Sequence, residues 1–178
     1  MKASRLLILP LVLSLGSPNL FATLMTPLPI EDLAQRAELI LHGSVTSKTC
    51  LRSPEGRIYT RVELQVHEVW KGNLTTNTFT IVHGGGTVGN MRTAVSGQVE
   101  YKVGEEVVAF LVLNPRGEGV TLGLAQGKFH VWKDKSNGEK FAHNIFHGTT
   151  EKAAAPDEKK SERLALRELA ARVKGGDR

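Results

Sequence analysis

Apolar residues recur along the chain with two different periods. Ile30, Leu33, Ala34 and Ala37 stand at the i, i+3, i+4, i+7 spacing of one helix face, so a helix of two turns is predicted after Pro27 and Pro29. The period then drops to two. Residues 39–45 read as a strand, with Gly43 marking a bulge or tight bend. The clearest strand covers residues 58–70: Ile58, Thr60, Val62, Leu64, Val66 and Trp70 fall on one face. Tyr59, Arg61, Glu63, Gln65 and His67 fall on the other. Glu68 is the misfit, a carboxylate that strict alternation places on the apolar side.

Lys71, Gly72 and Asn73 make a turn, after which residues 78–83 resume as a strand with Phe79 and Ile81 facing one way. Residues 106–113 form a continuous apolar run bounded by Gly104 and by Asn114 and Pro115, the pattern of a strand buried on both faces. Segments 120–124, 127–132 and 141–145 complete the strand set, the last two joined by a loop containing Asn137 and Gly138. Residues 148–160 read as a linker. A C-terminal helix is predicted over 161–176, with Ser161 as N-cap, Leu166, Leu169, Ala170 and Val173 as its stripe, and Gly175 and Gly176 after it. Such a helix is marginal alone in water, so its stripe is expected to pack on the strands. The fold class is therefore mainly β: a small, strongly bent antiparallel barrel over 23–147 with a short N-terminal helix and a C-terminal amphipathic helix.

The first 22 residues have the three parts of a secretory signal peptide. Lys2 and Arg5 supply the basic start, residues 6–15 the apolar stretch, and small residues lead to Ala22. Ten helical residues rise about 15 Å, roughly half the hydrocarbon thickness, which suits a cleaved segment better than an anchor. Cleavage is predicted between Ala22 and Thr23, giving an exported, periplasmic or extracellular product. No cysteine lies beside that bond to carry a lipid.

Composition narrows the classes further. With 178 residues and a single cysteine, Cys50, the chain has neither a disulfide framework nor a multi-thiolate zinc site. Without a sufficiently long apolar run, it is not expected to span a membrane by a helix. Lys and Arg number 23 against 18 Asp and Glu. Removing residues 1–22 deletes Lys2 and Arg5 and no acid, so the remaining surplus is three and is spread thinly. Nucleic-acid binding, which wants a basic face, is not expected.

Three segments then repay reading together: Ala37-Glu38-Leu39-Ile40-Leu41-His42-Gly43-Ser44-Val45, Val66-His67-Glu68-Val69-Trp70-Lys71-Gly72, and Gly104-Glu105-Glu106-Val107-Val108-Ala109-Phe110. In this order and spacing they resemble the netrin-like modules, whose OB-type barrel is shared with the tissue inhibitors of metalloproteinases. They resemble still more closely a group of exported bacterial proteins of unknown function. The resemblance covers residues 37–113 and implies an OB-like barrel. The inhibitors act through an N-terminal cysteine that chelates the protease zinc. Here the expected N-terminus is Thr23 and the one cysteine is Cys50, so no inhibitory residue carries over.

The remaining chemistry is sparse. Gly84, Gly86 and Gly89 match G-x-G-x-x-G after a strand, yet strand-like residues 99–101 follow where a helix is required, so a flexible loop and no cofactor are expected. His143 and His147 are four apart, a zinc spacing on a helix but about 13 Å on a strand. His42, His67, His83 and His130 are scattered, although neighbouring strands could join His67 to His83. Arg57, Tyr59 and Arg61 share a strand face of the kind with which OB barrels hold polymers, and are the speculative ligand face. No Gly-x-Ser-x-Gly elbow is present, and Cys50 is placed near an exposed loop without an activating neighbour. Trp70 reads as a plug at the barrel end. The expected function is a non-catalytic exported binding module for an unknown protein or polyanionic ligand. The alternative is a small exported enzyme or metal-binding protein using surface histidines.

Overall fold

The computed structural model describes residues 26–148 and 163–175. The segment expected to be a signal peptide, Ser161, Gly176 and all of the expected linker but Gly148 lie outside the described residues. The helix at 30–37 forms as α1 (Ile30–Arg36), with Ile30, Leu33 and Ala34 buried. Two long strands follow, β1 (Leu39–Arg52) and β2 (Ile58–Lys71), then β3 (Thr78–Gly84). A small hairpin of β4 (Gly86–Val88) and β5 (Met91–Thr93) leads to β6 (Glu106–Leu113) and β7 (Gly119–Thr121). A 3-10 turn at Leu124–Gly127 precedes β8 (Lys128–Lys133) and β9 (Lys140–His143). The described chain closes with β10 (Leu164–Ala165) and α2 (Leu166–Gly175). Among the described residues no helix is long and apolar enough to cross a membrane.

Five strands close on themselves in the order β1-β2-β3-β7-β6, and β6 returns to β1. All contacts in the ring are antiparallel except β3 with β7, which meet in parallel at Ile81 and Gly119. Beyond β6, the strands β8, β9 and β10 continue the sheet. The apolar run of β6 explains itself here. Val107, Ala109 and Leu111 point into the ring core with Leu41, Val62, Leu64 and Ile81, while Val108 and Phe110 point outward. Outside, they meet Phe129 and Val131 of β8, Ile30 and Leu33 of α1, and Leu169 and Val173 of α2. Both faces of β6 are thus buried, each in a separate core.

The β1–β2 ladder skips two residues of β2: Leu41 pairs Val69 while Ile40 pairs Lys71, and His42 pairs Glu68 while Gly43 pairs Val66. His67 and Trp70 are the unpaired residues, each a β-bulge. This corrects the simple alternation expected of residues 58–70. Up to Val66 the apolar face points into the ring, but past the bulges Val69 keeps the ring core whereas Trp70 joins the outer core with the helices. Glu68 is no misfit, since its carboxylate is exposed and accepts a hydrogen bond from Trp70 Nε1 at 2.9 Å. Gly43 sits at the same irregularity, where a Cβ would run into the carbonyl oxygen of Gln65.

Other expectations change as well. Residues 99–101 form no strand, although Val99 and Tyr101 are buried in the ring core, where Tyr101 Oη and Thr121 Oγ1 share a hydrogen bond at 2.8 Å. The glycine segment 84–89 is not a loose loop but runs into the β4–β5 hairpin. The C-terminal helix starts at Leu166, because Leu164 and Ala165 first pair with Ala142 and Phe141 of β9.

Candidate functional site

The face of β8 opposite Phe129 and Val131 carries Lys128, His130 and Trp132, and β9 sets His143 directly across from His130. With residues 98–100 as the facing wall, these side chains line an open cleft of about 890 Å³, with the buried Asn144 and the exposed Ile145 also lining it. The two imidazoles meet edge to face at 5.3 Å. Trp132 stacks on Phe141 at 5.1 Å, and the Arg163 guanidinium covers both rings, so this wall is pinned.

Lys128 is the buried cation of the cleft. Its ammonium donates to the Glu100 carbonyl and to the Glu105 carboxylate, and it lies 4.8 Å above the Tyr101 ring. Burial pulls its pKa below the usual lysine range, against the opposing pull of Glu105. Burial likewise pushes the His143 imidazole down, and the neighbouring His130 and Lys128 push the same way. Near neutral pH His143 therefore offers an uncharged ring with one donor and one acceptor.

A second constellation lies on the outer face of the ring. His42 Nε2 stands 2.6 Å from Glu106 Oε1, and the His42 and His67 rings meet edge to face at 5.3 Å. One donor atom each from His42, His67 and Glu106 falls within 4.8 Å of the others, the one such group among the described residues. Lys140 Nζ donates to both Glu106 oxygens, at 2.7 and 3.0 Å.

The speculative ligand face is less free than its residue types suggested. Arg57 is exposed and Tyr59 half-buried, but Arg61 donates to Glu118 at 3.2 Å, and Arg116 joins the same carboxylate at 2.8 Å. Asn114 adds a third donor, and the three together hold Glu118 below the usual carboxylate range. Residues 57, 59 and 61 therefore present one uncommitted cation rather than a basic strip. The two histidine pairings also resolve. His83 lies opposite Thr60, far down the ladder from His67, and stacks on Tyr101 at 6.4 Å. His143 faces the cleft, whereas His147 stacks on Phe129 and pairs with the Leu28 carbonyl at 2.9 Å. Cys50 is half-buried within β1, two residues before the turn that follows Arg52, its Sγ 3.4 Å from Thr60 Oγ1.

The pairing of His130 with His143 had no counterpart in the sequence reading; a period-two pattern on both sides of a turn at Asn137 and Gly138 was the signal that could have revealed it. Compared with known proteins, the chain matches no family model and no curated protein.

Proposed function

We propose that the protein is exported after cleavage at Ala22 and serves as a non-catalytic binding module on an OB-like ring. The cleft receives a segment of a partner protein that inserts an apolar side chain. The ring order, with its one parallel contact between β3 and β7, supports the OB-like reading, as do the three segments resembling netrin-like modules. The observation that carries the binding reading is the cleft itself. Its volume falls in the range of ligand sites, the Trp132 ring lines it, and a few polar groups converge on it. Ile145, 54% exposed, adds an apolar contact to the cleft.

Charge favours a protein segment over a polyanion. The one lysine lining the cleft is already neutralised by Glu105, and the Glu100 side chain stands at the rim. Among the described residues the lining holds no serine, threonine or cysteine, so no hydroxyl or thiol nucleophile faces the two imidazoles.

Site-specific photo-crosslinking tests the reading in the compartment where the protein accumulates. A photoreactive residue replacing Ile145 should give a discrete protein adduct, and the same residue replacing Leu113 at the other end of β6 should not. Adding Trp132→Ala should abolish the adduct. Equal labelling from both positions, or indifference to Trp132, overturns the assignment. Export is tested by intact mass: the mature chain should begin at Thr23, and a product retaining Met1 refutes it.

A further inference from the structure

We propose that His42, His67 and Glu106 bind a first-row divalent cation, zinc in preference to magnesium or calcium, on the outer face of the ring. The site owes nothing to the cleft. It follows from three neighbouring strands. On β1, Ile40 and His42 alternate outward while Leu39 and Leu41 point into the ring. On β6, Glu106 shares the outward phase of Val108 and Phe110, and the register of Ser44 with Glu106 sets that carboxylate diagonally beside His42. On β2, His67 is the bulge residue without a ladder partner, and its ring nitrogen approaches Ser44 Oγ at 3.3 Å. Bulges of this kind re-aim side chains at functional sites.

The donor set fits the cation. Two imidazoles and one carboxylate are borderline ligands that suit zinc and leave a fourth position for water, whereas magnesium and calcium favour oxygen alone. In tetrahedral zinc, with bonds of about 2.0–2.1 Å, donors lie about 3.4 Å apart. The three donors here are within 4.8 Å of each other, so closure needs only side-chain rotation. The exposed His67 is free to supply it. His42 is the fixed ligand, buried to 8% exposure against the Trp70 ring at 5.8 Å.

Lys140 makes the site conditional. Its ammonium occupies both oxygens of Glu106, so an incoming cation must displace it. The lysine side chain is 40% exposed and can turn into solvent when it does. An ion pair kept only for structure would weaken when Lys140 is removed, whereas a metal competing with that lysine should bind more tightly.

The experiment is calorimetric titration of the metal-free mature protein with zinc, followed by cobalt(II) absorbance as a report of coordination. One equivalent should bind with a micromolar or lower Kd, and cobalt should show the intense visible bands of a tetrahedral site. His67→Ala, at an exposed position that the fold does not need, should weaken binding by about 10-fold or more, the scale on which metal sites respond to altered support. Lys140→Met should strengthen it, and His143→Ala in the cleft should leave it unchanged. Failure of either metal to bind, equal affinity in His67→Ala, weaker binding in Lys140→Met, or loss in His143→Ala each overturns the assignment. None of these results bears on the crosslink from Ile145.

Discussion

Replacing Leu169 by alanine tests whether α2 is part of the folded unit. Leu169 is fully buried in the outer core, among Ile30, Leu33, Trp70, Val108, Phe110 and Phe129. These neighbours come from α1 and from strands of a sheet that is also packed on its inner side, so the site has little room to collapse around a cavity. Leu→Ala changes in such places cost about 2–5 kcal/mol, and a rigid surround places this one at about 3–4 kcal/mol. Alanine is the best helix former, so none of that loss comes from helix propensity. For a chain of this size each kcal/mol shifts the melting temperature by about 2–4 °C, so Tm should fall on the order of 10 °C. The matched control is Arg167→Ala on the same helix, whose side chain is 83% exposed and whose ion pair with Glu139 should contribute about 0.5 kcal/mol or less. Scanning calorimetry reads both. A Tm for Leu169→Ala within about 1 °C of wild type would refute the docking of α2 and free its stripe for some other surface.

Three smaller predictions follow from single contacts. Gly43→Ala drives a Cβ into the Gln65 carbonyl of the paired strand and should cost about 2–3 kcal/mol by urea denaturation; a neutral effect would mean that the β1–β2 register is not as described. Cys50→Ser keeps a partner in Thr60 Oγ1 and should change stability by less than about 1 kcal/mol, with a larger loss showing that the thiol is packed rather than merely half-covered. Glu31, held below the usual carboxylate range first by its hydrogen bonds from Arg172, contributes stability that is present above the unfolded carboxyl pKa and disappears as pH falls through the folded one. Because the pair is half-exposed, Glu31→Gln should remove only a few tenths of a kcal/mol at neutral pH, and the wild-type and variant denaturation midpoints should converge once pH has fallen below the lowered folded-state pKa of Glu31.

What the sequence made legible is what repeats. The helix at Ile30, Leu33 and Ala34, the long alternation through Leu64 and the doubly buried run of β6 were all open to periodicity, because each is set by a face that must be covered. The candidate sites were not. His42 and Glu106 are 64 residues apart and meet only because β6 returns to β1 and closes the ring. His130 and His143 meet through a hairpin register that a one-residue change in the loop would undo. Trp70 was placed on the wrong face because an unpaired residue shifts the phase of everything after it, and a period-two pattern has no symbol for a bulge. Glu68 was the visible trace of that shift: a carboxylate on an apolar face is either a buried charge or a sign that the face has changed.

The bulge at His67 leads to a last prediction. In the observed ladder, His42 pairs with Glu68 and Gly43 with Val66, so the pairing already runs as though His67 were missing. Deleting His67 should therefore leave Val66 and Val69 in the ring core, with Glu68 between them facing outward, and restore regular pairing across the gap. Deleting Leu64 should do the opposite. There every β2 position has a partner and the one skipped residue, Thr46, lies on β1, so removing a β2 residue forces the strand on one side of the cut to slip and turn its buried face to water. The His67 deletion should fold cooperatively with a loss of about 1–3 kcal/mol from the changed twist, while the Leu64 deletion should not fold. Circular dichroism melts compare the two directly, and equal collapse of both would show that the bulge holds the strands together rather than merely interrupting them. If the His67 deletion folds, the bulge is dispensable for pairing, and what its extra residue adds to the molecule is an imidazole beside His42 and Glu106. The same folded deletion should then fail to bind zinc in the calorimetric titration, which separates a residue kept for binding from one kept for the sheet.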